Sequence, residues 1–483
     1  MKKLFYLIVI ILIGMLYTTV ALANPVAGKI MIDAQDGFID TGATALVEQD
    51  RILVPVAVIK EYLHDSLTVD PVNDRLKLSV VLPRFRLETE HLDRFIYSGV
   101  DVSFAVKKIS GQPYVDLAGL DKLLGLAASY QQANNTLLIQ TGKSSFFSPI
   151  QLNQPRAQQV FSGKINLVWD HVMKDSRNLN QEAKIPGLDI LAPTWFAVIS
   201  EEGDVASKAD LKYVQDAHEK GYKVWALVSN SFDRDLTRAV LNNERARRNV
   251  IKQLLVYSSL YNLDGINIDF ENMYDEDQEK FTAFIRELTS ALKEQNVMVS
   301  VDITIPAPTP YWSLCYNRSE LGQIVDYVMV MTYDEHWRSS PVSGSVASQG
   351  WVEKGIAATL KSVPKEKLLM GIPFYTREWE ETSENGRVTV KSRTLSMAQA
   401  KQVIAEQNLT PVWLKDKGQN YVEYNKADKR YRIWLEDQAS VRLKAGLVQH
   451  YQLAGAASWR KDFEQPEIWE TLNAILKKQA AGH

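Results

Sequence analysis

Between Asp264 and Asn272 the chain reads DGINIDFEN. Large apolar residues (Ile266, Ile268, Phe270) alternate there with polar ones (Asn267, Asp269, Glu271). Side chains of a β-strand point alternately to its two faces, so an amide and two carboxylates share one face. Burying acids is costly unless they have partners or chemistry to perform. A lone acid at a strand end is commonly a helix N-cap or a salt-bridge partner. Three inward polar groups in succession exceed that role and mark this strand as a candidate site.

The surrounding elements decide what each face meets. From about Gly163, strand-like apolar runs recur with helical segments between them. They are INLVWDHV from Ile165, LDILAPTWFAV from Leu188, KVWALVSN from Lys223 and DGINIDFE from Asp264. VMVSVDITIP from Val297, YVMVMTYDEHW from Tyr327, LLMGIPFYTREW from Leu368 and GAASW from Gly455 follow. Phe281, Phe284, Ile285, Leu288 and Leu292 fall on one helical face. ADLKYVQDAHEK reads as a helix with Ser207 as its N-cap and Gly221 ending it. Eight strand–helix alternations over roughly 300 residues predict an α/β fold, a (β/α)8 TIM barrel spanning 163–478. No glycine-rich phosphate loop follows the first run, which disfavours a doubly wound open sheet. The gap between Trp379 and Gly455 leaves room for a small α+β insertion at about 380–435, with YVEYNKADKRYRIWL as a hairpin. In such a barrel Ile266, Ile268 and Phe270 face the helices. Asn267, Asp269 and Glu271 face inward, with Glu271 at the C-terminal mouth where barrel enzymes hold their chemistry.

The run Asp264-Gly265-Ile266-Asn267-Ile268-Asp269-Phe270-Glu271 closely resembles the D-G-x-D-x-D-x-E signature of glycoside hydrolase family 18, the chitinase-type hydrolases. Met331-Thr332-Tyr333-Asp334 resembles the family's M-x-Y-D on the sixth strand. Gly371–Trp379 is similar to its seventh-strand segment, and Trp459 to the tryptophan closing the eighth. The likeness covers most of 163–478 and looks nearest to the branch of spore-cortex and peptidoglycan N-acetylglucosaminidases, through DFEN and MTYDEH. It implies a retaining, substrate-assisted mechanism, an exception among glycosidases. Glu271 would be the general acid and then the base. The substrate's N-acetyl oxygen would be the nucleophile. Asp269 would hold the acetamido N–H, Tyr333 would hydrogen-bond the acetamido oxygen, and Trp459 would floor the bound sugar.

One position departs from the signature: the middle aspartate is Asn267. Asn267 cannot ionise, but it can donate a hydrogen bond and is expected to hold Asp269 in place. The pH profile is then expected to lack the effect of a second coupled aspartate. Further substrate contacts are expected from Asn267, Asp334, Trp459, Trp337, Trp195, Tyr375 and Arg377. Trp312, Phe374 and Trp379 also fall at or just after strand ends. Flat apolar rings suit sugars, although core packing is an equal reading for any one of these aromatics. For Asp334 and Arg377 the equal alternative is a structural ion pair. His336 reads as a surface or supporting residue.

The rest of the chain sets the context. It has 483 residues, 46% hydrophobic and 23% charged, with net charge −3 and no long basic run, so nothing points to nucleic acid. The start, MKK followed by the apolar Leu4–Leu16 and by Ala21-Leu22-Ala23, reads as a signal peptide over residues 1–23, with an uncleaved membrane anchor as the alternative. Cys315 is the single cysteine and the seven histidines lack metal-ligand spacing, so neither an internal disulfide nor a metal or other cofactor is expected. Residues 27–142 read as an α+β domain of two repeats, about 28–82 and 83–142. VPVAVIKEYL and DPVNDRLKLSV superpose on VDLAGLDKLL and QQANNTLLIQT at one offset of 61 residues. The ILVP run and this repeat resemble the stalk module, also called copper amine oxidase N-terminal-like, which implies a wall-associated spacer and no copper. Residues 143–162, polar with two prolines, read as a linker.

Together these features predict an exported hydrolase of β-1,4-linked N-acetylglucosamine polymers. Peptidoglycan is the preferred substrate, the stalk-like domain is the expected contact with the cell wall, and no obligate protein partner is inferred. Chitin is the alternative substrate, and a non-catalytic sugar-binding wall protein the alternative class.

Overall fold

The computed structural model describes residues 25–34, 37–48, 51–63, 67–70, 75–80, 85–86, 100–118, 120–124, 126–140, 150–151, 159–384 and 386–477. The expected signal peptide and most of the expected linker lie outside the described residues. No helix among the described residues is long and apolar enough to cross a membrane. Two compact units form. One holds residues up to Leu76 with Ala105–Phe147, and the other Lys77–Phe104 with Ser148 onward.

The larger unit contains a closed barrel. Its strands are β1 (Ile165–Asp170), β2 (Ile190–Val198), β3 (Lys223–Ser229), β4 (Gly265–Asp269), β5 (Met298–Thr304), β6 (Tyr327–Met331), β7 (Leu368–Pro373) and β8 (Gly455–Trp459). Every neighbour pairs in parallel, and β8 closes on β1. All eight coincide with the apolar runs in the sequence.

The outward face of β4 explains its local fold. Ile266 and Ile268 are fully buried, and the Phe270 ring lies 5.9 and 5.8 Å from those of Phe281 and Phe284 on the helix Gln278–Lys293. That helix buries the whole Phe281–Leu292 stripe against the barrel. The floor of the barrel is also packed. Trp225 on β3 stacks on Tyr327 at 5.5 Å, meets the edge of Phe161 and donates to Gln159 at 3.0 Å. These last residues of the expected linker thus plug the barrel. A Cβ at Gly265 would stand 2.6 Å from the Trp225 indole, so the second signature residue is glycine for lack of room. The first, Asp264, fastens the base of β4. It accepts from His218 Nε2 at 2.6 Å, the Val224 N–H at 2.9 Å and Lys223 Nζ at 3.0 Å.

Two local readings need correction. The helix Leu211–Glu219 is capped by Asp210, which accepts from the Lys212 and Tyr213 N–H groups. Ser207 instead ends a short strand, Val205–Ser207, paired with β2. The insertion begins at Tyr375 rather than 380, because the chain leaving β7 runs straight into the long strand Tyr375–Glu384. That strand joins Arg387–Ser396, Val412–Leu414, Gln419–Lys426 and Lys429–Trp434 in a five-stranded sheet backed by the helix Met397–Glu406. The last two strands are the predicted hairpin.

In the smaller unit, strand Arg51–Pro55 leads through a short helical segment to Leu63, and strand Gln112–Asp116 leads to the helix Leu120–Leu124. The two strands pair antiparallel with Val54 opposite Val115, the residue 61 places on (115 − 54).

Burial pushes the Asp264 carboxyl up, but the His218 bond, the Val224 N–H and Lys223 outweigh it and hold the group below its ordinary value. A carboxyl depressed on folding adds stability above its unfolded value near pH 4 and loses it as pH falls through the folded value. Asp264→Asn is expected to cost about 1–3 kcal/mol at pH 7. Thermal unfolding followed from pH 6 to pH 3 checks this, the variant losing less stability across that range than the wild type.

Candidate active site

The site is built outward from the interior of β4. Asn267 is fully buried and all its polar capacity faces protein: its Oδ1 accepts from Trp169 Nε1 of β1 at 2.8 Å. Its Nδ2 donates to Ser300 Oγ at 3.1 Å and to Asp302 Oδ1 at 2.8 Å, both on β5. The expected bond from Asn267 to Asp269 is absent, and a side chain with no exposed surface does not touch substrate. Asn267 is a tie between strands, because β5 offers it a hydroxyl and a carboxylate on the same inward face.

Two residues on, Asp269 has a buried Oδ1 with no hydrogen-bond partner in the protein. Burial raises its carboxyl to about 7. Glu271 follows the strand at the mouth, and burial, then the charges of Asp269 and Asp334, raise it well above the usual carboxylate range. Its backbone is fixed on both sides. Asn230, buried at the end of β3, accepts from the Glu271 N–H at 3.1 Å and donates to the Glu271 carbonyl at 2.7 Å. Tyr316 donates to the preceding Phe270 carbonyl at 2.7 Å.

After β6, the Tyr333 hydroxyl is raised well above its ordinary value by burial and then by Asp302, with Asp269 and Glu271 adding to it. The Tyr333 ring meets Tyr375 edge-on at 6.2 Å. Asp334 accepts from Tyr375 Oη at 2.6 Å and from Arg377 Nη2 at 2.8 Å, and Arg377 also donates to Thr394. Asp334, Tyr375 and Arg377 thus form one hydrogen-bonded group joining the end of β6 to the insertion. Trp459 is half-buried, 6.0 Å from the Trp169 ring, and Trp337 is exposed. Trp195 is not presented to a ligand: it is 1% exposed, donates to Ser176 and packs on Tyr213. Phe374 and Trp379 are core residues too, whereas Trp312 is exposed. His336 bonds the Ser345 carbonyl. Among the described residues no cluster of three or more His, Cys, Asp or Glu is placed to hold a metal.

Asp302, Asn230 and Trp169 were missed in the sequence. For Asp302 a signal existed. In VSVDI the polar Ser300 and Asp302 alternate with Val299, Val301 and Ile303, the same pattern as on β4. Asn230 had none, since its role lies in backbone groups 41 residues away.

The fold and the site define a barrel hydrolase with desolvated carboxyls at the tip of its fourth strand. The sequence profile of "Glycosyl hydrolases family 18" matches residues 175–464, and the chain belongs to that family. Among curated proteins it is similar to the uncharacterized glycosylase YvbX of Bacillus subtilis, 28% identical across 60% of this chain and 85% of that protein. It is also similar to the cortical fragment-lytic enzyme of the same organism, 27% identical across 51% of this chain and only 58% of that relative's length. Of solved structures, the spore cortex-lytic enzyme SleL of Bacillus megaterium aligns with TM-score 0.59 at 20% identity, over 67% of this chain and 76% of that one. A chitinase from Chromobacterium violaceum aligns with TM-score 0.58 at 23% identity, over 65% of this chain and all of the other. At those identities the structures speak for the fold.

Asn230→Ala removes both backbone tethers of Glu271 while leaving its carboxyl in place. We expect kcat on a cleaved glycan to fall about 10- to 100-fold with KM little changed, as for misplacement of a catalytic group. Steady-state kinetics with circular dichroism as a folding control checks this.

Proposed function

We propose that the protein is an exported retaining hydrolase that cleaves β-1,4 bonds after N-acetylglucosamine in peptidoglycan, with the substrate's acetamido group as nucleophile. The observation that carries this reading is the buried, unpartnered Oδ1 of Asp269 beside a Glu271 whose carboxyl burial raises well above the usual carboxylate range. An N–H donor aimed at Asp269 would satisfy it, and an acetamido group on the sugar supplies one. Glu271 then gives its proton to the glycosidic oxygen as the bond to the anomeric carbon breaks. The acetamido oxygen closes on that carbon from the opposite face, oriented by the Tyr333 hydroxyl, while Asp269 balances the positive charge of the ring so formed. Glu271, now a carboxylate, takes a proton from water as the water opens that ring, so configuration is retained. Trp459 offers its face to the sugar, and Trp337 and the Asp334–Tyr375–Arg377 group line the approach.

Peptidoglycan is favoured over chitin because curated relatives are named cortical fragment-lytic enzymes. The same likeness supports a wall location, with residues 1–23 read as the export signal and the smaller unit as a stalk-like spacer. The intact Glu271 weighs against a purely sugar-binding role.

Release of reducing ends from peptidoglycan and from chitin oligosaccharides, by wild type and Glu271→Gln, tests the proposal. We expect cleavage of peptidoglycan that falls by at least about 1,000-fold in the variant, the scale set by loss of an essential acid together with its positioning. Cleavage of chitin alone keeps the mechanism and overturns the substrate. Binding without cleavage in both proteins overturns the enzyme.

A further inference from the structure

Residue 267 carries an amide where the family signature has an acid, and β5 carries an acid beside it. In the β4–β5 register Asn267 lies opposite Ser300 and Ile268 opposite Val301. Continuing one residue sets Asp269 alongside Asp302, both on the inward face. Asp302 is 1% exposed, and its hydrogen bond is the one from Asn267 Nδ2 at 2.8 Å. No cation pairs with it among the described residues. The titratable groups that face it are Asp269 and Glu271 from β4 and Tyr333 from the end of β6; Met329 of β6 lies opposite it in register. A carboxylate at 267 would have no hydrogen to give Asp302, so the amide and the acid form a complementary pair.

We propose that Asp302 takes the place of the acid missing at residue 267: with Asp269 it forms a buried carboxyl pair in which ionisation of one opposes ionisation of the other, and on ionising it keeps Glu271 protonated to higher pH. Asp302 acts through Asp269 and Glu271 rather than on the sugar, so it is a positioning residue. The expectation of a site without a second coupled aspartate is thereby replaced: the second acid comes from the next strand. Burial, and then the Asp269 charge, raise the Asp302 carboxyl well above its ordinary value.

The test rests on the hydrolase reading for its kinetic arm only. The pH dependence of kcat/KM is measured for wild type, Asp302→Asn and the exchange Asn267→Asp/Asp302→Asn. Loss of a like charge lowers the proton affinity of the acids that remain, so Asp302→Asn is expected to move the alkaline limb down by about one pH unit, the scale of coupled carboxyls. The exchange returns an acid to the pair and is expected to bring the limb back. An unmoved limb in a folded Asp302→Asn, or an exchange that fails to restore it, overturns the proposal. Independently of activity and of any variant that misfolds, carboxyl-carbon NMR of wild type with labelled aspartate follows the titration directly. Asp302 and Asp269 should titrate together in two steps, the upper one well above the ordinary carboxylate range. A single step for Asp302 near an ordinary carboxylate value overturns the pair even if no glycan is cleaved.

Discussion

Desolvation of carboxylates at one strand end is the constraint on which the rest of this protein depends. Asp269, Glu271 and Asp302 face the inside of a closed barrel, where the charged form is disfavoured and like charges reinforce one another. The barrel makes this tolerable by packing everything else about them. The outward half of β4 is embedded in the aromatic layer of Phe281 and Phe284, and the floor is sealed by Trp225, Gln159 and Phe161. Burial raises all three carboxyls above their ordinary values, Asp269 to about 7.

Polar groups within that interior are divided by task. Those low on β4 are saturated by protein: Asp264 by three donors at the base, Asn267 by Trp169, Ser300 and Asp302 in the middle. Toward the mouth, Asp269 keeps a buried oxygen that no protein donor meets. An unmet acceptor in a packed interior is destabilising and persists where a ligand is to meet it. The same division appears beyond β6. Asp334 is held by Tyr375 and Arg377, while Trp337 and Trp459 keep free aromatic surface. Backbone tethers complete the arrangement, with Asn230 bonded to the peptide groups of Glu271 and not to its carboxyl.

Much of this was legible in the chain. Alternation at Ile266, Ile268 and Phe270 fixes the faces of β4, and eight apolar runs fix the barrel, because strand period and strand–helix rhythm are local properties. Alternation placed Asp269 and Glu271 on one face of β4, whereas Tyr333 and Trp459 were singled out by the family resemblance alone. Trp195 was misjudged because a tryptophan at a strand end looks the same in sequence whether its face is open or packed on Tyr213. The N-cap at Ser207 was misjudged because a nearer acceptor, Asp210, competed for the same N–H groups.

What the sequence determined by itself is therefore the set of elements and the presence of inward acids on β4. What only the tertiary structure decided is who their neighbours are. Asn267 bonds Asp302 rather than Asp269, since parallel register carries the β5 acid alongside β4. Asn230 reaches Glu271 across 41 residues because β3 and β4 are adjacent staves of one barrel. Period and spacing reach along a chain for a few residues; partners across strands are set by closure and register, which no local pattern encodes.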